Sequence, residues 1–132
     1  MFRVWIQGIT DPFTGFYKMA ALTSAAELVE FKHGTDMSVR KMPGREDWED
    51  LELERYWMGG DELWKWRERI EAGEPDVRTV RIDILRNDQS PVASFTLHQA
   101  YPLEWVLPGL DSSKSEMMSE KIVLAFHSVT RG

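Results

Sequence analysis

Short runs of alternating apolar and polar residues, one amphipathic helix and no βαβ rhythm predict a mainly β protein. The expected architecture is an antiparallel β-barrel or sandwich with one packed α-helix and a long projecting loop. Phe2, Val4 and Ile6 alternate with Arg3, Trp5 and Gln7, the two-residue period of a strand with one buried face. Asp11-Pro12-Phe13-Thr14-Gly15 is a turn signal that ends this element. Residues 16–22 and 27–33 read as further extended segments, separated by Thr23-Ser24-Ala25-Ala26.

Residues 34–47 form a polar stretch. Connections usually run about 4–6 residues, and longer ones tend to carry function, so partner contacts are expected here first. Alternation resumes over 48–57, with Leu51 and Leu53 on one side and Glu52 and Glu54 on the other, until Gly59-Gly60 breaks it. The spacing then predicts a helix over 61–72. Asp61 suits the N-cap, and Glu62 meets the positive end of the helix dipole. Leu63, Trp66 and Ile70 share one face and are expected to pack on the sheet. Gly73 supplies the stop, with Pro75 just beyond. Val80, Ile82 and Ile84 alternate in the next strand. The turn Asn87-Asp88-Gln89-Ser90-Pro91 leads to Ala93, Phe95 and Leu97, a hairpin. After Tyr101-Pro102-Leu103-Glu104-Trp105 and a loop over 108–116, Ile122, Leu124 and Phe126 mark the last strand.

The chain has 132 residues, the size of one domain over 1–132, and enough to bury a core without disulfides or metals. It has no cysteine, which removes disulfides, thiol catalysis and Cys-ligated zinc together. The first residues lack the pattern of a signal peptide, and no apolar run reaches the roughly 20 residues of a membrane span. Synthesis in a reducing cytoplasm and no membrane anchoring are therefore expected. The net charge is −6, unlike the basic face of most nucleic-acid binders. The acidic block over 45–54 would repel a sliding polyanion, or simply serve solubility.

The three histidines His33, His98 and His127 are far apart and lack metal-ligand spacing. Glu52 and Glu54 would share a strand face and imitate a glycosidase pair, which a solvated face explains more simply. The phosphate-binding loop, dinucleotide fingerprint and nucleophile elbow are all missing. The expectation is no enzyme, no metal and no cofactor. Six tryptophans serve core filling or an interface. Trp64 and Trp66 lie two positions apart and cannot share a helix face, so one packs inward and the other covers a flank or meets a neighbour. Exposed tryptophans would also suit a carbohydrate-binding β-sandwich, the rival from another class.

In this order, several segments resemble the tail tube protein family of contractile phages and contractile injection systems. They are Phe2-Arg3-Val4-Trp5-Ile6-Gln7-Gly8-Ile9, Glu30-Phe31-Lys32-His33-Gly34 and Val39-Arg40-Lys41-Met42-Pro43-Gly44. Asp61-Glu62-Leu63-Trp64-Lys65-Trp66, Pro91-Val92-Ala93-Ser94-Phe95-Thr96-Leu97, Ala100-Tyr101-Pro102-Leu103-Glu104-Trp105 and Pro108-Gly109-Leu110-Asp111 follow. The acidic block departs from the family pattern. The resemblance implies a virion tail or injection particle whose hexameric rings of this subunit stack into a tube. Its partners would be further copies of itself, sheath subunits, the baseplate hub and the tube terminator, with DNA or protein cargo passing through the lumen without specific binding. A tube-end or baseplate adaptor of the same family is the alternative. Val39, Arg40, Lys41, Met42, Pro43 and Gly44 are the expected ring-stacking residues, with Arg40 and Lys41 meeting acids of the adjacent ring.

Overall fold

Among the described residues nine strands and one helix succeed one another as β1 (Phe2–Ile6), β2 (Phe16–Met19), β3 (Ser24–Phe31), β4 (Arg40–Trp48), β5 (Leu51–Tyr56), α1 (Glu62–Glu71), β6 (Arg78–Leu85), β7 (Pro91–Val106), β8 (Ser119–Ala125) and β9 (Ser128–Arg131). This computed structural model describes residues 2–9, 16–31, 40–57, 59–109, 113 and 118–132; along 25–31 and 40–47 it describes the backbone alone. Every strand pair among the described residues is antiparallel. The main sheet runs β1-β6-β7-β8-β5-β2, with β9 on β7, and β1 and β2 approach each other without pairing to close a barrel.

The inward phase of each strand supplies the core. Val4 and Ile6 of β1, Val80 and Ile82 of β6, and Leu97 of β7 face Leu51 and Leu53 of β5 and Ile122 and Leu124 of β8, all buried. Fully burying one such side chain contributes roughly 1.5–3 kcal/mol. Helix α1 adds Leu63 and Trp66, both 1 % exposed, while Ile70 packs half-buried beside them. The helix follows the expected span within a residue at each end. Asp61 makes no side-chain cap; its carboxylate pairs with Lys65 at 3.2 Å instead. Gly73 ends the helix as expected, at φ +88°, where a Cβ would be strained, and its N–H donates to Ile70 O at 3.0 Å.

Strand β7 departs most from expectation. It is 16 residues long and takes in the 101–105 segment, which the alternation had assigned to no strand. Its first half pairs with β6 and β9, its second half with β8. Between the halves, Gln99 adopts φ +54°, which bends the strand and breaks its two-residue period. Ala100 follows with no exposed surface, and α1 packs on this strand.

The expected loop over 34–47 is also different. From Arg40 onward it is strand β4, which pairs with β3 in a two-stranded sheet of its own. Pro43 sits where the register slips between Ala26 and Leu28, an irregularity that accommodates a residue without an N–H donor. Ala20 N to Glu52 O at 2.9 Å carries the β2–β5 ladder past Met19, and Glu49 N to Thr23 O at 3.1 Å carries the β3–β4 ladder past Ser24 and Trp48. The two ladders thus follow one another across the short 20–23 and 49–50 connections. β5 therefore leads from the hairpin at Leu51 to the helix at Tyr56, and gives the barrel a hairpin-side end and a helix-side end.

The bend at Gln99 makes a stability prediction. Gln99→Val, which puts a β-branched residue at positive φ, lowers unfolding stability by about 1–2 kcal/mol in chemical denaturation. Gln99→Gly changes it by less than about 1 kcal/mol.

Candidate assembly interface

The β3–β4 ribbon carries the segment expected to make the stacking contact. Val39 lies outside the described residues. Arg40, Lys41, Met42 and Pro43 pair with Phe31, Glu30, Val29 and Leu28, and Gly44 falls in the irregular stretch. Arg40 and Lys41 thus stand at the distal end of the ribbon and Glu46 and Asp47 near its root, where Ser24 faces Trp48. At about 3.3 Å per residue, the nine residues of β4 span roughly 30 Å. Among the described residues neither β3 nor β4 pairs with the main sheet, so there each strand leaves one edge of backbone donors and acceptors open. The root is anchored by Trp48, whose ring lies 6.1 Å from that of Phe126.

At the helix-side end, two charge clusters fix the helix on the barrel. Arg55 of β5 and Glu120 of β8 are buried and form an ion pair. The Trp105 indole donates to the same carboxylate at 2.7 Å, and Arg55 also reaches Glu62 of α1 at 3.3 Å and lies over the Phe16 ring. These groups tie β2, β5, β7, β8 and α1 together. The sequence carried their signal unread. Arg55 continues the inward phase of Leu51 and Leu53, and Glu120 that of Ile122 and Leu124, so opposite charges meet at the core phase of paired strands.

In the second cluster Arg78 grips Asp76 with two hydrogen bonds of 3.0 Å and lies over the Trp66 ring at 5.0 Å. The Trp66 indole donates to Asp76 O at 2.7 Å. The Arg78 hydrogen bond holds the Asp76 carboxyl below the ordinary carboxylate value.

The tryptophans divide as expected: Trp66 is buried, whereas Trp64 is 48 % exposed and meets Trp105 edge-on at 4.9 Å. Arg81 covers the Trp5 ring at 4.8 Å, and the Trp57 indole donates to Gly60 O at 2.8 Å. Tyr17 and Tyr56, both exposed, stack on each other at 4.6 Å. Glu52 and Glu54 share the solvent face of β5, opposite Val123 and Lys121, and Glu54 accepts from the Tyr17 hydroxyl at 2.9 Å. His98 spends its Nε2 on the Thr130 hydroxyl at 2.8 Å. No cluster of three or more metal-ligating side chains occurs among the described residues.

Both clusters make predictions. Glu120→Leu, which strands the buried Arg55 charge, costs about 3–5 kcal/mol in denaturant titration. Adding Arg55→Met recovers most of that loss, and an unrecovered double variant contradicts the role given to the pair. For Asp76, the depressed folded-state pKa adds stability that is fully present above the unfolded value of about 4 and is lost as pH falls through the lower folded value. Asp76→Asn removes this part of the acid-limb slope, read as midpoint against pH.

Residues 1–130 match the profile of the T4-like virus tail tube protein gp19 family. No curated protein sequence matches the chain. Among solved structures, a chain of the sheath–tube complex of PVC, an extracellular contractile injection system in its extended state, superposes with a TM-score of 0.83 at 18 % identity, over 99 % of this chain and 87 % of that one. A chain of the tube-terminating cap of the anti-feeding prophage gives 0.82 at 20 % identity, over 99 % and 87 %. Hcp1 from Flavobacterium johnsoniae gives 0.61 at 12 % identity, over 99 % and 94 %. At such identities the likeness is one of fold. The match over nearly the whole length carries the assignment: the chain belongs to the T4-like virus tail tube protein gp19 family.

Proposed function

We propose that this chain is the repeating subunit of an inner tube, built from six-membered rings that stack head to tail within a contractile sheath. The observation that carries this reading is the β3–β4 ribbon, which follows β2 and leads into β5 along the chain and, among the described residues, pairs with no further strand. An isolated two-stranded hairpin is marginal in water, so such a ribbon gains its stability by lying against another molecule. Stacking identical rings requires a heterologous contact, with different surfaces on its two sides, and a projecting ribbon supplies one of them. Sixfold symmetry is supported by a similar chain in the anti-feeding prophage baseplate, a 6-fold symmetrised assembly, with a TM-score of 0.78.

In this reading the part the protein plays is mechanical. Arg40 and Lys41, at the far end of the ribbon, meet carboxylates of the next copy, and Glu68, Glu71 and Glu74 are exposed at its helix-side end. The described residues hold no helix long and apolar enough to cross a membrane. Sheath subunits and a terminator are the further partners, and DNA or protein cargo passes without specific binding. A tube-end position is the second reading, favoured by the likeness to chains of the cap and baseplate assemblies.

Charge reversal tests the ribbon contact. Arg40→Glu with Lys41→Glu leaves the circular dichroism spectrum and melting point of the subunit unchanged and abolishes tubes in negative-stain images; normal tubes from the double variant would sink the proposal. Wild-type protein forming long tubes by itself favours the shaft, and rings that never elongate favour the tube end.

A further inference from the structure

The two ends of the barrel are finished differently. At the helix-side end α1 drives Leu63 and Trp66 into the core. At the hairpin-side end, Met19, Leu22, Trp48, Ile82, Ile84 and Phe95, with Ser24, line a half-open cavity of about 270 Å³. Ile82 is buried, the other five apolar residues are half-buried and Ser24 is exposed. An apolar cavity of about 150 Å³ already admits a benzene-sized guest, so this one has room for a large side chain. Water against such a lining forfeits apolar burial at roughly 25 cal/mol per Å².

Large apolar side chains stand exposed at the opposite end. Tyr56 closes β5, Met118 precedes β8, Val77 precedes β6 and Trp64 lies on α1; they are 44, 43, 48 and 48 % exposed. One chain cannot bring these groups to its own cavity. Val77 stands five and seven residues before Ile82 and Ile84 along one extended segment, roughly 17–23 Å away.

We infer that the hairpin-side cavity is the seat for the helix-side end of a second copy of this chain, with Val77 and Trp64 as the inserted groups. This rests on the tube reading and names the apolar half of its axial contact. A protrusion and a recess at opposite ends of one molecule make a contact that does not close on itself and so propagates a row. The position of the ribbon agrees, because Ser24 and Trp48 belong both to its root and to the cavity lining. The copy that the ribbon reaches is therefore the copy presented to the cavity. The charged ribbon and the apolar seat act on the same neighbour.

The chain has no cysteine, which makes cross-linking decisive. Ser24→Cys and Val77→Cys are introduced singly and together, and assembled protein is treated with a short bismaleimide. Each single variant can yield nothing beyond a covalent dimer. The double variant is expected to give a ladder of trimers and higher species. As a second readout, Ser24→Phe fills the seat from its exposed rim; the subunit is expected to melt no lower than wild type, with tube yield reduced at least tenfold. A double variant that forms tubes but cross-links no further than dimer, or Ser24→Phe protein that forms tubes normally, overturns the inference and leaves the tube reading intact. Wild-type protein that never forms rings or tubes overturns the tube reading and this inference with it.

Discussion

One strand belongs to two sheet halves, and the rest of the fold follows from how it bends. β7 pairs with β6 and β9 up to Ala100 and with β8 from Tyr101 onward, with Gln99 at the changeover. A straight 16-residue strand would lay both halves in one open plane; the left-handed residue at Gln99 turns the second half and lets the sheet curl into a barrel. Just past the bend comes Ala100, without exposed surface, and α1 packs on this strand. With the helix filling one end, the ribbon and the half-open apolar cavity are left at the other.

The Arg55–Glu120 pair complements that geometry. Buried ion pairs are weak sources of stability, but they penalise every arrangement that separates them. A two-residue slip of β8 against β5, which keeps the faces, would set Arg55 against Ile122 or Met118 and bury two unpaired charges. The pair therefore fixes the register of the strands that lead to the ribbon, and Glu62 extends that control to the start of the helix. In the proposed tube such definition would keep the two ends of the barrel in a constant relation.

Much of this was legible in the sequence wherever one face of an element is buried. The alternation of Phe2, Val4 and Ile6, and of Val80, Ile82 and Ile84, marked β1 and β6, and the spacing of Leu63, Trp66 and Ile70 marked α1. Two failures have separate physical origins. The ribbon has no core to alternate against, and Pro43 and Gly44 argue against a strand, so 40–47 read as a loop. β7 was cut short because the bend at Gln99 shifts the inward phase from Leu97 to Ala100 and because Pro102 mimics a terminator. The short β9, Ser128–Arg131, has too few apolar residues to announce itself. The apolar cavity was hidden for another reason: its lining comes from β2, the 20–23 linker, β3, β4, β6 and β7, a conjunction that only the folded barrel creates.

Electron microscopy of the purified wild-type protein at increasing concentration tests the central claim most directly. The account predicts sixfold rings with an open channel, stacking into hollow tubes as concentration rises. A species that stays monomeric at every concentration, by imaging and by sedimentation, would contradict it.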